Sequence, residues 1–219
     1  TTAIVGTLVP MLTASMTVTI RAADPSPGIG SFSPAGSLAE ARNGHTATLL
    51  PDGRVLVIGG SDGYAYLASV EVWDPRGPTF QPAGSLLEAR GGHTATPLPD
   101  GRILVVGGGV GTFGDNQFLD SAELWDPVDG TFARTGSLAR GAPDALCITP
   151  GPNPVLFVGD LYPSRIYKVS LEGKVLGVYG QPGRNLGEFG WIHAIACPSE
   201  NEIWVAELIN WRVQKLVTK

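Results

Sequence analysis

Apolar residues in this chain come in short bursts. Val55–Ile58, Ile103–Val106, Val155–Val158 and Ile203–Val205 are runs of three or four, each closed by Gly-Gly, Gly-Asp or Ala-Glu. Apolar runs this short, bounded by turn residues, predict strands buried on both faces. Met16–Ile20 alternates apolar and polar with a period of two, and strands are expected at 3–9 and 16–22. In the segment after residue 44 the pattern predicts strands at about 45–50, 54–59, 69–74 and 79–83. Pro51-Asp52-Gly53 supplies the tight hairpin turn, and Asp74-Pro75 stops the third strand because proline donates nothing to a ladder.

The bursts repeat. Pro34-Ala35-Gly36-Ser37-Leu38, Arg42, His45-Thr46-Ala47-Thr48, Asp52-Gly53-Arg54 and Gly59-Gly60 recur 48 residues on, with His93 for His45 and Gly107-Gly108 for the glycine pair. Glu71-Val72-Trp73-Asp74-Pro75 recurs as Glu123-Leu124-Trp125-Asp126-Pro127, at an offset of 52. A second kind of repeat follows: Val155–Asp160 matches Glu202–Glu207, and Arg165–Val169 matches Arg212–Leu216, both 47 residues apart. Units of about 50 residues built from four short strands are propeller blades, each too apolar to stand alone. Trp73 and Trp125 are then blade-packing residues. The expected fold is all-β: a β-propeller of four-stranded antiparallel blades, four to five per chain. The ring would be completed by an N-terminal strand or by dimerisation. Phe32–Gly36 matches the fourth strand Phe80–Gly84, so 31–36 is expected to pair with 211–217.

The Gly-His-Thr-Ala-Thr, Asp-Gly-Arg, Gly-Gly and Trp…Phe series over about 31–140 resembles the kelch repeat of bacterial secreted proteins. Asn210-Trp211-Arg212-Val213-Gln214-Lys215-Leu216 resembles the NHL repeat, and about 145–219 looks like the end of propellers related to peptidyl-α-hydroxyglycine amidating lyase. These resemblances imply one propeller domain: 1–30 as strands completing or adding to a blade, 31–140 as kelch-type blades, 141–219 as NHL-type blades. Two repeat types in one chain point to a hybrid gene, a fragment or a join near 136–144. A bacterial, secreted or periplasmic location is implied as well.

Composition narrows the function. The 219 residues carry 30 Gly and 18 Pro, which leaves little room for long helices. A net charge of −5 argues against nucleic-acid or anionic-membrane partners. The apolar run Ala3–Leu12 is shorter than the roughly 20 residues of a membrane span. The two cysteines, Cys147 and Cys197, fall on first strands of neighbouring blades without being repeat equivalents, and two buried thiols are expected rather than a bond.

Candidate chemistry is sparse. His45 and His93 repeat, which favours an architectural role over a channel-mouth ligand site. His193 sits where the lyase resemblance implies a zinc ligand. However, a 47-residue step from it reaches Leu146, and catalytic zinc needs about three protein ligands. No cofactor is expected otherwise; zinc or calcium stays open. Arg165 and Arg212 are ligand-binding candidates too; as repeat equivalents they have a structural reading as well, as partners of Asp160 and Glu207. The loop Gly107–Leu119 offers Phe113 and Phe118 among glycines and polar residues, and loops on a rigid scaffold carry function. Two classes follow: a scaffold binding an unknown ligand or protein, as monomer or homodimer, or a metal-assisted hydrolase or amidating-lyase-like enzyme working in the channel. Whether the chain is an enzyme stays open at this level.

Overall fold

The computed structural model describes residues 33–77, 79–111, 117–137 and 141–218. Strands β1 (Thr46–Leu49), β2 (Val55–Ile58), β3 (Ser69–Trp73) and β4 (Phe80–Ser85) form blade 1, an antiparallel sheet in chain order. Blade 2 takes β5 (Thr94–Pro97) and β6 (Ile103–Val106). A small hairpin, β7 (Gly109–Val110) and β8 (Gln117–Phe118), intervenes before β9 (Ser121–Trp125) and β10 (Phe132–Ser137) complete the sheet. Blade 3 is β11 (Pro143–Ile148), β12 (Leu156–Asp160), β13 (Ile166–Val169) and β14 (Val175–Tyr179). A short parallel pair, β15 (Gln181–Pro182) and β16 (Glu188–Phe189), leads to blade 4, whose described strands are β17 (Ile192–Ser199), β18 (Glu202–Glu207) and β19 (Arg212–Val217). No helix occurs among the described residues. The all-β propeller expected from the repeats is what the chain adopts.

The blades stack face to face, with β1 beside β5, β5 beside β11 and β11 beside β17. Neighbouring side chains on a strand point to opposite faces, so each second strand feeds two cores. Leu56 and Ile58 meet Ile103, Val105 and Trp125 between blades 1 and 2. Leu104 and Val106 meet Leu156 and Val158 between blades 2 and 3. Phe157 meets Ile203 and Val205 between blades 3 and 4. Two-sided burial explains why these strands are continuously apolar rather than alternating. Each such side chain contributes roughly 1.5–3 kcal/mol. Gly59 and Gly107 end β2 and β6 with φ of +56° and +69°. A Cβ there would lie 2.5 Å from the Arg90 carbonyl oxygen or 2.4 Å from that of Pro143, so only glycine lets successive blades approach.

Two expectations need correction. Cys147 on β11 and Cys197 on β17 form a disulfide, with Cα atoms 6.0 Å apart. Non-equivalence does not keep them apart: Cys147 points toward blade 4 and Cys197 toward blade 3, and both border the core between those blades. The strand expected at 31–36 falls partly outside the described residues, as do those at 3–9 and 16–22. Its described part, 33–36, lies in no strand, and β19 is the last strand of its sheet among the described residues.

Candidate functional site

Register assigns four equivalent positions at the start of the first strands. Thr46 faces Ile58, Thr94 faces Val106, Ala145 faces Gly159 and Ala194 faces Ala206. The residues just before them are His45, His93, Asp144 and His193. Asp144, not Leu146, is therefore the counterpart of His193, because the chain between the first and second strands of blade 3 is two residues longer than in blade 4.

Equivalent positions do not share an environment. His93 is buried against blade 1, with Nε2 3.0 Å from Thr46 Oγ1. Burial, assisted by the charges of Arg90 and His45, lowers its pKa to about 4. His45 is exposed, since no described blade precedes it. His193 is exposed too, with Nδ1 3.7 Å from Asp144 Oδ2. Burial raises the Asp144 pKa, although His193 opposes the shift. Among the described residues no three His, Cys, Asp or Glu side chains converge to hold a metal ion.

The His93 shift has a testable consequence. Its folded pKa lies below its unfolded value of about 6.5, so its contribution to stability is complete above that value and disappears as pH falls toward 4. Stability measured by urea unfolding between pH 7 and 4 is expected to fall less steeply in His93→Gln than in the wild type. Identical slopes would contradict the assignment.

The second and third strands of each blade turn at the same end as these first-strand residues, and there the loops frame adjoining cavities. One, of about 320 Å³, is bordered by Asn43, Ser61, Tyr66, Phe118 and Asp144. The other, of about 720 Å³, is bordered by Phe118, Ala142, Tyr162, Arg165 and Tyr167. Phe118, half exposed, stands between them; Phe113 lies outside the described residues. Asp160 holds two residues of that border, Ala142 and Tyr162. Its Oδ1 accepts the N–H groups of Ala142 and Tyr162, and burial raises its pKa. Arg165 acts on the Asp160 carboxylate through its charge without a close ion pair, and it hydrogen-bonds the Tyr167 side chain, whose pKa burial raises. Arg212 does pair with Glu207, at 2.7 Å. Burial works against the Glu207 carboxylate, yet hydrogen bonds from Arg212, Gly190 N–H, Asn210 and Gln214 hold it below its usual range.

A further set of residues, recurring between blades 1 and 2, fixes these loops. Arg90 is fully buried. Nη1 donates to the carbonyls of Gly107 and Ser121, and Nη2 to Ser121 Oγ and Glu123 Oε1. Glu123 in turn accepts the N–H groups of Leu87 and Glu88. Arg42, Ser69 and Glu71 repeat the arrangement in blade 1. The sequence signal was available: charged residues recurring in register in a chain only 16% charged.

The Kelch motif model matches residues 42–87 and 90–138, which are blades 1 and 2 with their connections. The solved structure of YjhT is similar at a TM-score of 0.56 and 13% identity, over 75% of this chain and 58% of that one. At that identity the likeness speaks to the fold. The present chain spans little more than half of that protein's length. No curated protein matches the chain.

Proposed function

We propose that this kelch-repeat propeller is a binding scaffold whose ligand end is the loop face around the first-strand histidines. The observation that carries this reading is Phe118, an aromatic side chain 52% exposed between two adjoining cavities. It sits on a short hairpin whose base, Gly107, is held by the buried Arg90. Large concave sites with a few convergent polar groups are the usual places for ligands, and a side chain on a paired strand is presented at low entropic cost. Tyr162, Tyr167 and Arg165 supply flat apolar surface and a cation beside it. We read 141–219 as NHL-type blades on the Arg165–Val169 and Arg212–Leu216 repeat. The bonded cysteines fit a secreted or periplasmic setting, since disulfides persist in oxidising compartments.

Probing the labelled full chain on peptide and glycan arrays tests the reading. Phe118→Ala is expected to lower the array signals at least tenfold. Arg102→Gln, in a turn at the opposite end, is expected to leave them unchanged. Signals that ignore Phe118, or that disappear with Arg102, would contradict a loop-face site.

A further inference from the structure

The turn between β18 and β19 places a left-handed residue immediately before the last strand. Blade 3 has a connection at the equivalent place 47 residues earlier. There Ser164 takes a φ of +61° and donates its hydroxyl to the Leu161 carbonyl. Blade 4 puts Trp211 in that position, at a φ of +50°. A bulky side chain is disfavoured in that conformation, and burial does not compensate, because Trp211 is 88% exposed. A second tryptophan, Trp191, adopts a φ of +56° across the same turn and is 42% exposed. Its carbonyl accepts the Leu208 N–H. Two strained, solvent-facing indoles at one blade end are unfavourable for folding and favourable for contact, since Trp, Tyr and Arg dominate binding hot spots.

The adjoining surface is concave and cationic. A cavity of about 310 Å³ is lined by Tyr162, Phe189, Trp191, Ile209, Asn210 and Arg184. A second, of about 250 Å³, shares Arg184, Ile209 and Asn210 and adds Arg212. Neither is lined by an Asp or Glu, in a protein of net charge −5. Arg212 is engaged by Glu207 and by the carbonyls of Arg184, Asn185 and Glu188. Among the described residues, the Arg184 guanidinium has no hydrogen bond or ion pair, so it is the free cation of the groove. The Asn210 amide donates to Gly183 O and Glu207, and the Ser164 hydroxyl to Leu161 O, which leaves the guanidinium as the groove's unmatched charge. An occupant with one carboxylate and a flat apolar group matches that cation and the indole beside it.

We propose that this groove on blade 4 docks a peptide segment of a partner protein in which an acidic residue adjoins an aromatic one. The carboxylate lies on Arg184, and the ring lies against Trp191 and Trp211. Arg–carboxylate pairing fixes the register, and offset ring contacts add to the area buried. The groove shares Tyr162 with the larger cavity beside Phe118, but Arg184 and Trp191 border this groove alone and Phe118 the other, so substitutions at Arg184 and at Phe118 test the two sites separately.

The test is a tryptophan-fluorescence titration of the full chain with the acetylated, amidated peptide Asp-Phe-Asp-Phe and its Asn-Phe-Asn-Phe counterpart. Saturable binding of the acidic peptide, at least tenfold tighter than the neutral one, is expected, and Arg184→Gln is expected to erase that preference. Trp211→Asn should weaken binding at least tenfold. It should also raise the folding equilibrium constant about fivefold, since asparagine tolerates the left-handed conformation. Equal binding of the two peptides, or no saturable change, would overturn the proposal. So would a loss of stability in Trp211→Asn, because the indole would then be structural.

Discussion

Arg90→Ala is expected to destabilise the protein by about 3–5 kcal/mol, the usual effect of stripping one partner from a buried ion pair. Both side chains of the Arg90–Glu123 pair are fully buried, at 2.7 Å. Truncation leaves Glu123 as an uncompensated charge and orphans the carbonyls of Gly107 and Ser121. Arg90→Lys is not expected to rescue it, because an ammonium cannot reproduce the planar fork that reaches five acceptors. Replacing both members, as in Arg90→Met with Glu123→Leu, is often neutral for buried pairs. Here it is expected to remain about 2 kcal/mol or more below wild type, since the Leu87 and Glu88 N–H groups lose their acceptor as well. Arg42→Ala should be milder, because Glu40 beside it is half exposed, more so than Glu88 beside Arg90. Equilibrium urea unfolding of the four variants measures this. A fully recovered double variant would show that the pair does not serve the backbone.

Arg90 also connects stability to the loop face. It joins the connection before β5 to Gly107, where the chain departs for the Phe118 hairpin. Losing it should loosen the hairpin before the blade itself opens.

The blade architecture was readable because each kelch unit repeats its punctuation. Asp52-Gly53 and Asp100-Gly101 set the hairpins, and the glycine pairs mark where a carbonyl of the next blade comes close. Two-sided burial was readable in the unbroken apolar run of β6. The ring position of Asp144 was not, because it depends on a two-residue difference in chain length between β11 and β12 that no letter match exposes. The disulfide is hidden from the letter pattern for a geometric reason. Blades stack face to face, so residues from adjacent blades meet when they point in opposite directions, and lack of repeat equivalence favours contact. The contrast between buried His93 and exposed His45 was hidden for a related reason: an identical letter at an identical position takes its environment from the blade before it. The Phe118 cavities were anticipated only as an exposed loop, since Tyr162 and Arg165 reach them from another blade.

Loss of the Cys147–Cys197 bond is the second large effect expected. The bond closes 50 residues, and a loop of that length corresponds to about 4 kcal/mol of stabilisation through the unfolded chain. Reduction, or Cys147→Ser with Cys197→Ser, should lower stability by about 3–4 kcal/mol, read from urea midpoints with and without reductant. The loss should not be spread evenly. Stacked units contact only their neighbours, and their stability is a sum of local and nearest-neighbour terms. Blade 4 has one described neighbour, and its described sheet has three strands where the others have four.

Hydrogen exchange followed by mass spectrometry on the oxidised and the double-serine proteins therefore tests most directly the claim that the chain is a radial stack of separate sheets. Faster exchange confined to β17–β19 and the facing β11, with β1–β6 still protected, is the expected result. Exchange that accelerates uniformly from β1 to β19, as in one continuous core, would contradict it.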